Sequence, residues 1–292
     1  MLPGNTSVNR PNTGVRVLSA AIGRYAHTAA LLDGAVSLPG LRLECSDIPV
    51  ISRAFAPMVR EGRYHVSEMA IATWLQAREH DRGLVLLPWA LAARFQDSAM
   101  LCRADAPLRP QDLAGKRVGV RAYSQTTGMW LRGILATHGV AAGDIAWTTF
   151  EDAHVPEYRE PPFATRAAPG SDMQAMLESG ALDAAIFGND TPKSPALTRV
   201  FPEDSAEDFR RLYGFMPVNH LLVARADSAD AAAEVLALMA AAEARAPSGL
   251  PRGRAALMPS LSFAAHFCVA QGLIARAPRY EEIWAGLPDT IA

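Results

Sequence analysis

The sequence predicts an α/β fold in two lobes. Short apolar runs alternate with helix-length segments along most of the chain, as in successive βα units. The length of 292 residues corresponds to about two domains, and a hydrophobic content of 50% supplies a substantial core. We expect lobe 1 to comprise residues 1–95 and 216–292 and lobe 2 to comprise residues 104–215. The chain would then cross between lobes near residues 96–103 and 215–225, and these crossings would act as a hinge.

Four apolar runs predict the strands of lobe 1. They cover residues 15–20, 41–45, 65–67 and 84–87. Ser67, at the end of the third strand, is a residue type typical of a helix N-cap. This places Glu68 in the first helical turn. In open α/β sheets, ligands bind beyond the carboxyl ends of strands, so we expect Glu68 to face the cleft between the lobes.

A second series of βα units predicts lobe 2. Strands are expected over residues 116–120, 145–150 and 183–187. A helix over residues 126–138 places Trp130 above Ile134 and ends at Gly139. Ser171 and Gln174 form a capping box that predicts a shorter helix before the last of these strands. An apolar run over residues 221–224 follows, and the remaining C-terminal segments have helical patterns.

Composition and charge exclude several classes of protein. With 28 basic and 30 acidic residues the net charge is −2, and the basic residues do not cluster, so nucleic acid is not an expected partner. Three widely spaced cysteines provide neither a disulfide framework nor a CxxC metal motif. No run approaches the roughly 18 apolar residues of a membrane span. Residues 1–16 lack the apolar stretch of a secretory leader, which predicts a cytoplasmic protein.

Six blocks of residues between positions 25 and 225 have a distinctive order and spacing. They are Tyr25-x-His27-Thr28-x-x-Leu31-x-Asp33-Gly34-x-Val36, His65-Val66-Ser67-Glu68-Met69, Arg94-Phe95-x-x-Ser98-Ala99, Asp112-Leu113-x-Gly115-Lys116-Arg117-Val118-Gly119-Val120, Thr126-x-x-Met129-Trp130-x-Arg132-Gly133-Ile134-Leu135 and Met216-Pro217-Val218-x-His220. Together they resemble the 4,5-dihydroxyphthalate decarboxylase family. The resemblance implies a type II periplasmic-binding-protein-like fold used as an aromatic decarboxylase that needs no cofactor.

The sequence departs from that family pattern at two places. Gln96 and Asp97 stand where the family usually has arginine and histidine, and the segment from Gln125 to Gly128 differs from the usual Gln-Met-Thr-Ala. The first departure replaces a cation and an imidazole by an amide and a carboxyl group. It favours, as one alternative, an enzyme of the same fold that acts on a different acid.

Decarboxylation of a hydroxylated ring requires proton transfer, for which three residues are candidates. A proton must reach the carbon that loses the carboxylate, and a base must draw the proton of the para phenol. Glu68 would be the proton donor, with a pKa raised by burial, although a Glu in a first helical turn also simply complements the helix dipole. His220 and His27 would act at the phenol, since imidazole titrates near neutral pH, or they are structural histidines.

Other residues are candidates for substrate binding. Backbone amides and hydroxyl groups at a helix N-terminus bind carboxylates, and Arg94 can pair with a second carboxylate. The structural alternatives are helix capping for the hydroxyl residues, turn formation for Asn189 and an ordinary surface position for Arg94. The candidates for substrate binding are Arg94, Ser67, Tyr123, Gln125, Thr126, Thr127 and Asn189.

We therefore predict a decarboxylase of a hydroxylated aromatic carboxylate, 4,5-dihydroxyphthalate or a close analogue, that protonates the ipso carbon and releases carbon dioxide. The alternative is a solute-binding protein for the uptake of nitrate, sulfonate or aromatic acids, which shares the fold and has no turnover. The expected partner is a small aromatic carboxylate, and no membrane partner is expected. The sequence leaves open whether the protein forms a homo-oligomer. No HxxxH spacing indicates a metal, although ligands can converge from distant segments.

Overall fold

The computed structural model describes residues 14–188 and 191–292, and these form two β-sheets with helices packed on them. Asn189, one of the predicted substrate-binding residues, lies outside the described residues. The strands are β1 (Arg16–Ala21), β2 (Leu41–Cys45), β3 (Val66–Ala70), β4 (Leu84–Ala93), β5 (Met100–Arg103), β6 (Arg117–Val120), β7 (Ala146–Thr149), β8 (Ala164–Arg166), β9 (Ala184–Ile186), β10 (Leu197–Arg199) and β11 (Val218–Arg225).

Helices connect and cover these strands. They are α1 (Ala26–Leu32), α2 (Phe55–Glu61), α3 (Ile71–Glu79), α4 (Thr126–Thr137), α5 (Met173–Glu178), α6 (Ser205–Tyr213), α7 (Ala232–Glu243), α8 (Arg254–Ala270) and α9 (Tyr280–Ile283). Short 3₁₀ turns lie between several of them. Within the described ranges, no helix is both long enough and apolar enough to cross a membrane.

The two sheets are connected by two passages of the chain. The first sheet has the order β2-β1-β3-β11-β4, and β11 runs antiparallel to both of its neighbours. The second sheet has the order β10-β5-β9-β6-β7-β8. The chain leaves the first sheet after Ala93, enters the second at Met100, and returns to the first at Val218. Most of the segment 215–225 is therefore strand β11. The exact limits of the lobes stay a prediction.

The helix α8 packs against helices from both halves of the molecule. It contacts α3, which follows the first-sheet strand β3, and α4, which follows the second-sheet strand β6. The approach to α4 is close, because a Cβ atom at Gly133 would lie 2.2 Å from the Phe267 ring. Trp130 of α4 also donates its indole N–H to the Val218 carbonyl over 3.0 Å. These contacts join α8 and β11 to the helix α4, which follows a strand of the second sheet.

Two local predictions about helix starts are wrong. The strand β3 continues through Ser67 and Glu68 to Ala70, and α3 begins only at Ile71. Ser67 is therefore not an N-cap, and Glu68 is not in a helical turn. The reason is long-range pairing, since β11 hydrogen-bonds along β3 as far as Ala70.

The second wrong start concerns α5. Its N-cap is Asp172, whose carboxylate accepts from the Ala175 N–H over 2.7 Å, and not Ser171 with Gln174. An aspartate one residue later satisfies the exposed helix N–H groups and fixes the start there.

Candidate functional site

Glu68 lies at the centre of a buried hydrogen-bond network on β3. Glu68 is fully buried, with an exposed fraction of 0%. One carboxyl oxygen, Oε2, accepts from the Gly23 N–H over 2.8 Å. The other, Oε1, accepts from the Tyr25 hydroxyl over 2.6 Å and is 2.5 Å from Nδ1 of His220. Three donors directed at two oxygens suit a carboxylate, which in its ionised form only accepts hydrogen bonds.

Gly23 permits this network because it has no side chain. A Cβ atom at this position would lie 2.9 Å from Oε2 of Glu68 and 2.9 Å from the Tyr25 hydroxyl oxygen. That separation is too short for a carbon atom beside two packed groups, so any larger residue would displace the carboxylate or the phenol. The backbone of the segment after β1 can therefore approach Glu68 only through a glycine.

Tyr25 donates to Glu68 and is backed by His27. Burial, together with the neighbouring Glu68 carboxylate, raises the pKa of Tyr25 far above its ordinary value, so the phenol stays protonated and remains a donor. The His27 ring stacks parallel on the Tyr25 ring with centroids 5.2 Å apart. Burial also lowers the pKa of His27. The structure places His27 against Tyr25, and no hydrogen bond joins it to Glu68 or His220.

His220 lies on the same face of the sheet as Glu68. In the regular antiparallel pairing of β11 with β3, His220 is opposite Ala70 and Leu222 is opposite Glu68. Because side chains two residues apart on a strand share a face, His220 is a diagonal neighbour of Glu68. Because a carboxylate can only accept, the contact to Oε1 places a proton on Nδ1 and leaves Nε2 as the nitrogen for another partner. The His220 side chain is 15% exposed, so this dyad has one buried member and one accessible member.

Hydroxyl groups at the start of α4 meet residues from the first sheet. Gln125 is the N-cap residue of α4. Oγ1 of Thr126 accepts from the Ala72 N–H over 3.2 Å, at the start of α3, and Oγ1 of Thr127 accepts from Nη2 of Arg94 over 3.3 Å. The first N–H groups of a helix have no partner within it, and together with a guanidinium group they suit an anion. The structure thus brings Arg94 to the helix terminus predicted for carboxylate binding.

Two predicted binding residues point into the interior. The Ser67 hydroxyl donates to the Glu68 carbonyl over 2.8 Å and is fully buried in the sheet. The Tyr123 ring is also fully buried, packs edge-on against Trp147, and lies 3.9 Å below the Arg132 guanidinium. Their side chains pack in the interior of the protein and do not join Arg94 at the start of α4.

His154 is a neighbour of the site that sequence reasoning missed. It lies in the loop after β7, and its Nδ1 is 2.9 Å from Oγ1 of Thr73 on α3. Burial lowers its pKa to about 4, and the nearby charges of Arg121, Arg60 and His220 act in the same direction. Tyr25 was missed as well, although it belongs to the first of the six sequence blocks. No local signal marks His154, because its neighbours come from α2 and α3.

Burial of His154 makes the folded protein sensitive to acid. Its pKa of about 4 lies below the ordinary 6.5, so the unfolded chain binds a proton first as the pH falls. The contribution of the neutral, buried His154 ring to the free energy of unfolding is complete above pH 6.5 and is lost as the pH falls towards 4. The full difference corresponds to about 3 kcal/mol, an upper bound because the ring is partly exposed.

We expect the urea midpoint to fall between pH 7 and pH 5 by more in the unmodified protein than in His154→Gln, which has no imidazole to titrate. An equal fall in both proteins would contradict this assignment.

No metal cluster accompanies these residues. In the part of the chain that the structure describes, no three His, Cys, Asp or Glu side chains gather closely enough to hold an ion. The groups that the structure gathers at the site are a histidine with a buried carboxyl partner, a phenol, and the start of α4 with Arg94 beside it.

Comparison with known sequences finds two related enzymes. The 4,5-dihydroxyphthalate decarboxylase of Comamonas testosteroni is 27% identical over 229 residues, which cover 71% of this chain and 68% of that protein. The 4,5-dihydroxyphthalate decarboxylase of Pseudomonas putida is 26% identical over 219 residues, covering 68% of this chain and 83% of that protein. No family model matches the chain. The two relatives confirm the resemblance to this family that the six sequence blocks predict.

Comparison with solved structures identifies the fold. The periplasmic aliphatic sulphonate binding protein SsuA from Escherichia coli matches with a TM-score of 0.54 at 14% identity, over 90% of this chain and 84% of that chain. At this identity the match shows the fold alone. The predicted α/β, type II periplasmic-binding-protein-like fold is confirmed.

Proposed function

We propose that this protein is a decarboxylase of a hydroxylated aromatic carboxylate, and that 4,5-dihydroxyphthalate or a close analogue is its substrate. The observation that carries the proposal is the hydrogen-bonded pair of Glu68 and His220, which a protein that only binds solutes does not need. The two related decarboxylases support the reaction class and the substrate. The proposal includes no cofactor.

In this mechanism His220 carries the proton that is transferred. Glu68 orients the His220 ring and stabilises its positive charge. Glu68 is fully buried and both of its oxygens already have donors, so it is poorly placed to reach a substrate. His220 keeps Nε2 available while Nδ1 is held by the carboxyl group. A protonated His220 paired with the Glu68 carboxylate can deliver the Nε2 proton to a ring carbon. The proposal therefore assigns to His220 the proton-donor role that the sequence predicted for Glu68.

The reaction itself then needs one proton and no electron acceptor. The ring carbon that carries the carboxylate takes the Nε2 proton, the bond between that carbon and the carboxylate breaks, and its electron pair restores the aromatic ring. Carbon dioxide leaves, and His220 regains its proton from solvent. One carboxylate would rest on the N–H groups at the start of α4, and a second on Arg94. These contacts hold the reacting carbon against His220.

The test is direct. Purified protein is incubated with 4,5-dihydroxyphthalate without added metal or cofactor, and carbon dioxide release is followed together with ring absorbance. We expect one carbon dioxide per substrate consumed, well above a blank without protein. Saturable binding without any carbon dioxide release would overturn the proposal and favour the solute-binding alternative. Repeating the assay with a chelator tests whether release depends on a metal.

A further inference from the structure

The loop that carries His154 is hydrogen-bonded to the helices α2 and α3, which accompany the first sheet. It follows β7 of the second sheet, yet Arg60 of α2 donates to two of its carbonyl groups, from Nη2 to Ala153 over 2.6 Å and from Nε to His154 over 3.0 Å. The contact between His154 and Thr73 of α3 adds a third link to the same half of the molecule. His154 is therefore held at a defined position by side chains remote in sequence.

His154 and His220 flank the same aromatic ring. The Phe55 ring packs edge-on against His154 with centroids 5.7 Å apart and edge-on against His220 with centroids 5.1 Å apart. Phe55 itself is buried. One imidazole comes from the loop after β7 of the second sheet and the other from β11 of the first sheet, so Phe55 contacts a histidine from each part of the molecule. A planar substrate that reaches His220 would lie close to His154.

The partner of Nδ1 decides which nitrogen of His154 bears the proton. Thr73 is buried, with an exposed fraction of 3%, and in the described structure its hydroxyl bonds only to His154. If Nδ1 carried the proton, the Thr73 hydroxyl hydrogen would be left buried without an acceptor, which is costly. The hydroxyl therefore donates to Nδ1, and the neutral ring carries its proton on Nε2. Nε2 is not enclosed and has no hydrogen bond within the described residues.

We propose that His154 recognises a hydroxyl group on the substrate ring, with Nε2–H donating to the hydroxyl oxygen. This inference rests on the proposed function. A fixed neutral donor suits a phenol oxygen, whereas the carboxylates are matched by the cationic Arg94 and the start of α4. A site that supplies a hydrogen bond to a substrate hydroxyl discriminates against analogues without one, because the protein group is then left unpaired. His154 would thus be a specificity residue, and Thr73 the residue that positions it.

Isosteric variants test the assignment of the donor. The amide nitrogen of glutamine can occupy the place of Nε2, whereas that of asparagine reaches only the place of Nδ1. We expect His154→Gln to keep KM for 4,5-dihydroxyphthalate within threefold, and His154→Asn to raise it at least tenfold. The inhibition constant of phthalate, which has the carboxylates but no hydroxyl, should change less than twofold in both variants. Thr73→Val should raise KM for the dihydroxy substrate, and Thr73→Ser should restore it.

Thermal unfolding shows whether each variant is folded, and the two ligands separate recognition from general damage. The inference is overturned if KM and the phthalate inhibition constant rise together, if neither changes in His154→Asn, or if glutamine is as damaging as asparagine. If the unmodified protein turns over the substrate and the variants behave in one of these ways, only the inference fails. If the unmodified protein neither binds nor turns over the dihydroxy acid, the proposed function and this inference both fail.

Discussion

Replacing His220 by glutamine is expected to lower kcat for carbon dioxide release by about 10²- to 10⁴-fold, because glutamine cannot carry a transferable proton at neutral pH. The variant should still bind phthalate, since the carboxylate contacts at the start of α4 and at Arg94 are unchanged. The measurement is steady-state kinetics with 4,5-dihydroxyphthalate, combined with calorimetric binding of phthalate. A loss of kcat with retained phthalate binding is the signature of a proton-transfer residue.

The matched control is His266→Gln. His266 is exposed on α8 and contacts the neighbouring Phe267 ring, so this variant should leave kcat unchanged. A second check uses His220→Ala with imidazole added to the solution, which we expect to recover part of the activity. If His220→Gln turned over at the rate of the unmodified protein, His220 would have no part in the proton transfer and the mechanism proposed above would be wrong.

Glu68→Gln is expected to cause the second large loss, again about 10²-fold or more in kcat. An amide has one acceptor oxygen and one donor nitrogen, so it cannot receive the Gly23 N–H on one atom while receiving Tyr25 and His220 on the other. Either the Gly23 N–H is left buried without a partner or His220 loses the acceptor that orients it. The imidazolium that the proposed mechanism places on His220 also loses the carboxylate beside it.

Two variants show whether this loss belongs to the site. Tyr25→Phe removes one donor to Glu68 but keeps the carboxylate beside His220, so we expect a smaller fall in kcat than in Glu68→Gln. Glu243→Gln removes another buried carboxylate, which bonds to Ser248 after α7, and should leave kcat unchanged. Activity in Glu68→Gln equal to that of the unmodified protein would remove Glu68 from the mechanism. Thermal unfolding of each variant separates a catalytic loss from a loss of fold.

The chain order of strands and helices was largely predictable from local patterns. The strand over residues 41–45 was predicted with its observed bounds, and the helix α4 was predicted to within one residue at its end. These elements obey local rules, since an apolar run specifies a strand and Gly139, with a φ of 79°, stops a helix where other residues are strained. The six sequence blocks also predicted the family resemblance and the fold.

The candidate site was predictable only as a set of residues. Glu68, His220, Arg94 and Thr127 could each be named, but the contact between Glu68 and His220 joins positions 152 residues apart. No local pattern reports such a pair. The placement of Glu68 was wrong for the same reason, since the pairing of β3 with β11 extends the strand through a segment that has a helix-like start.

The sequence alone therefore determined the element types, the fold class and the residues able to do acid–base chemistry, because these follow from side-chain periodicity and functional groups. Only the tertiary structure decided which groups meet. Strand pairing brought His220 to Glu68, the absence of a side chain at Gly23 admitted a backbone donor, and the loop fastened by Arg60 brought His154 beside Phe55. Each of these contacts depends on packing between distant segments, whose energies local sequence patterns do not record.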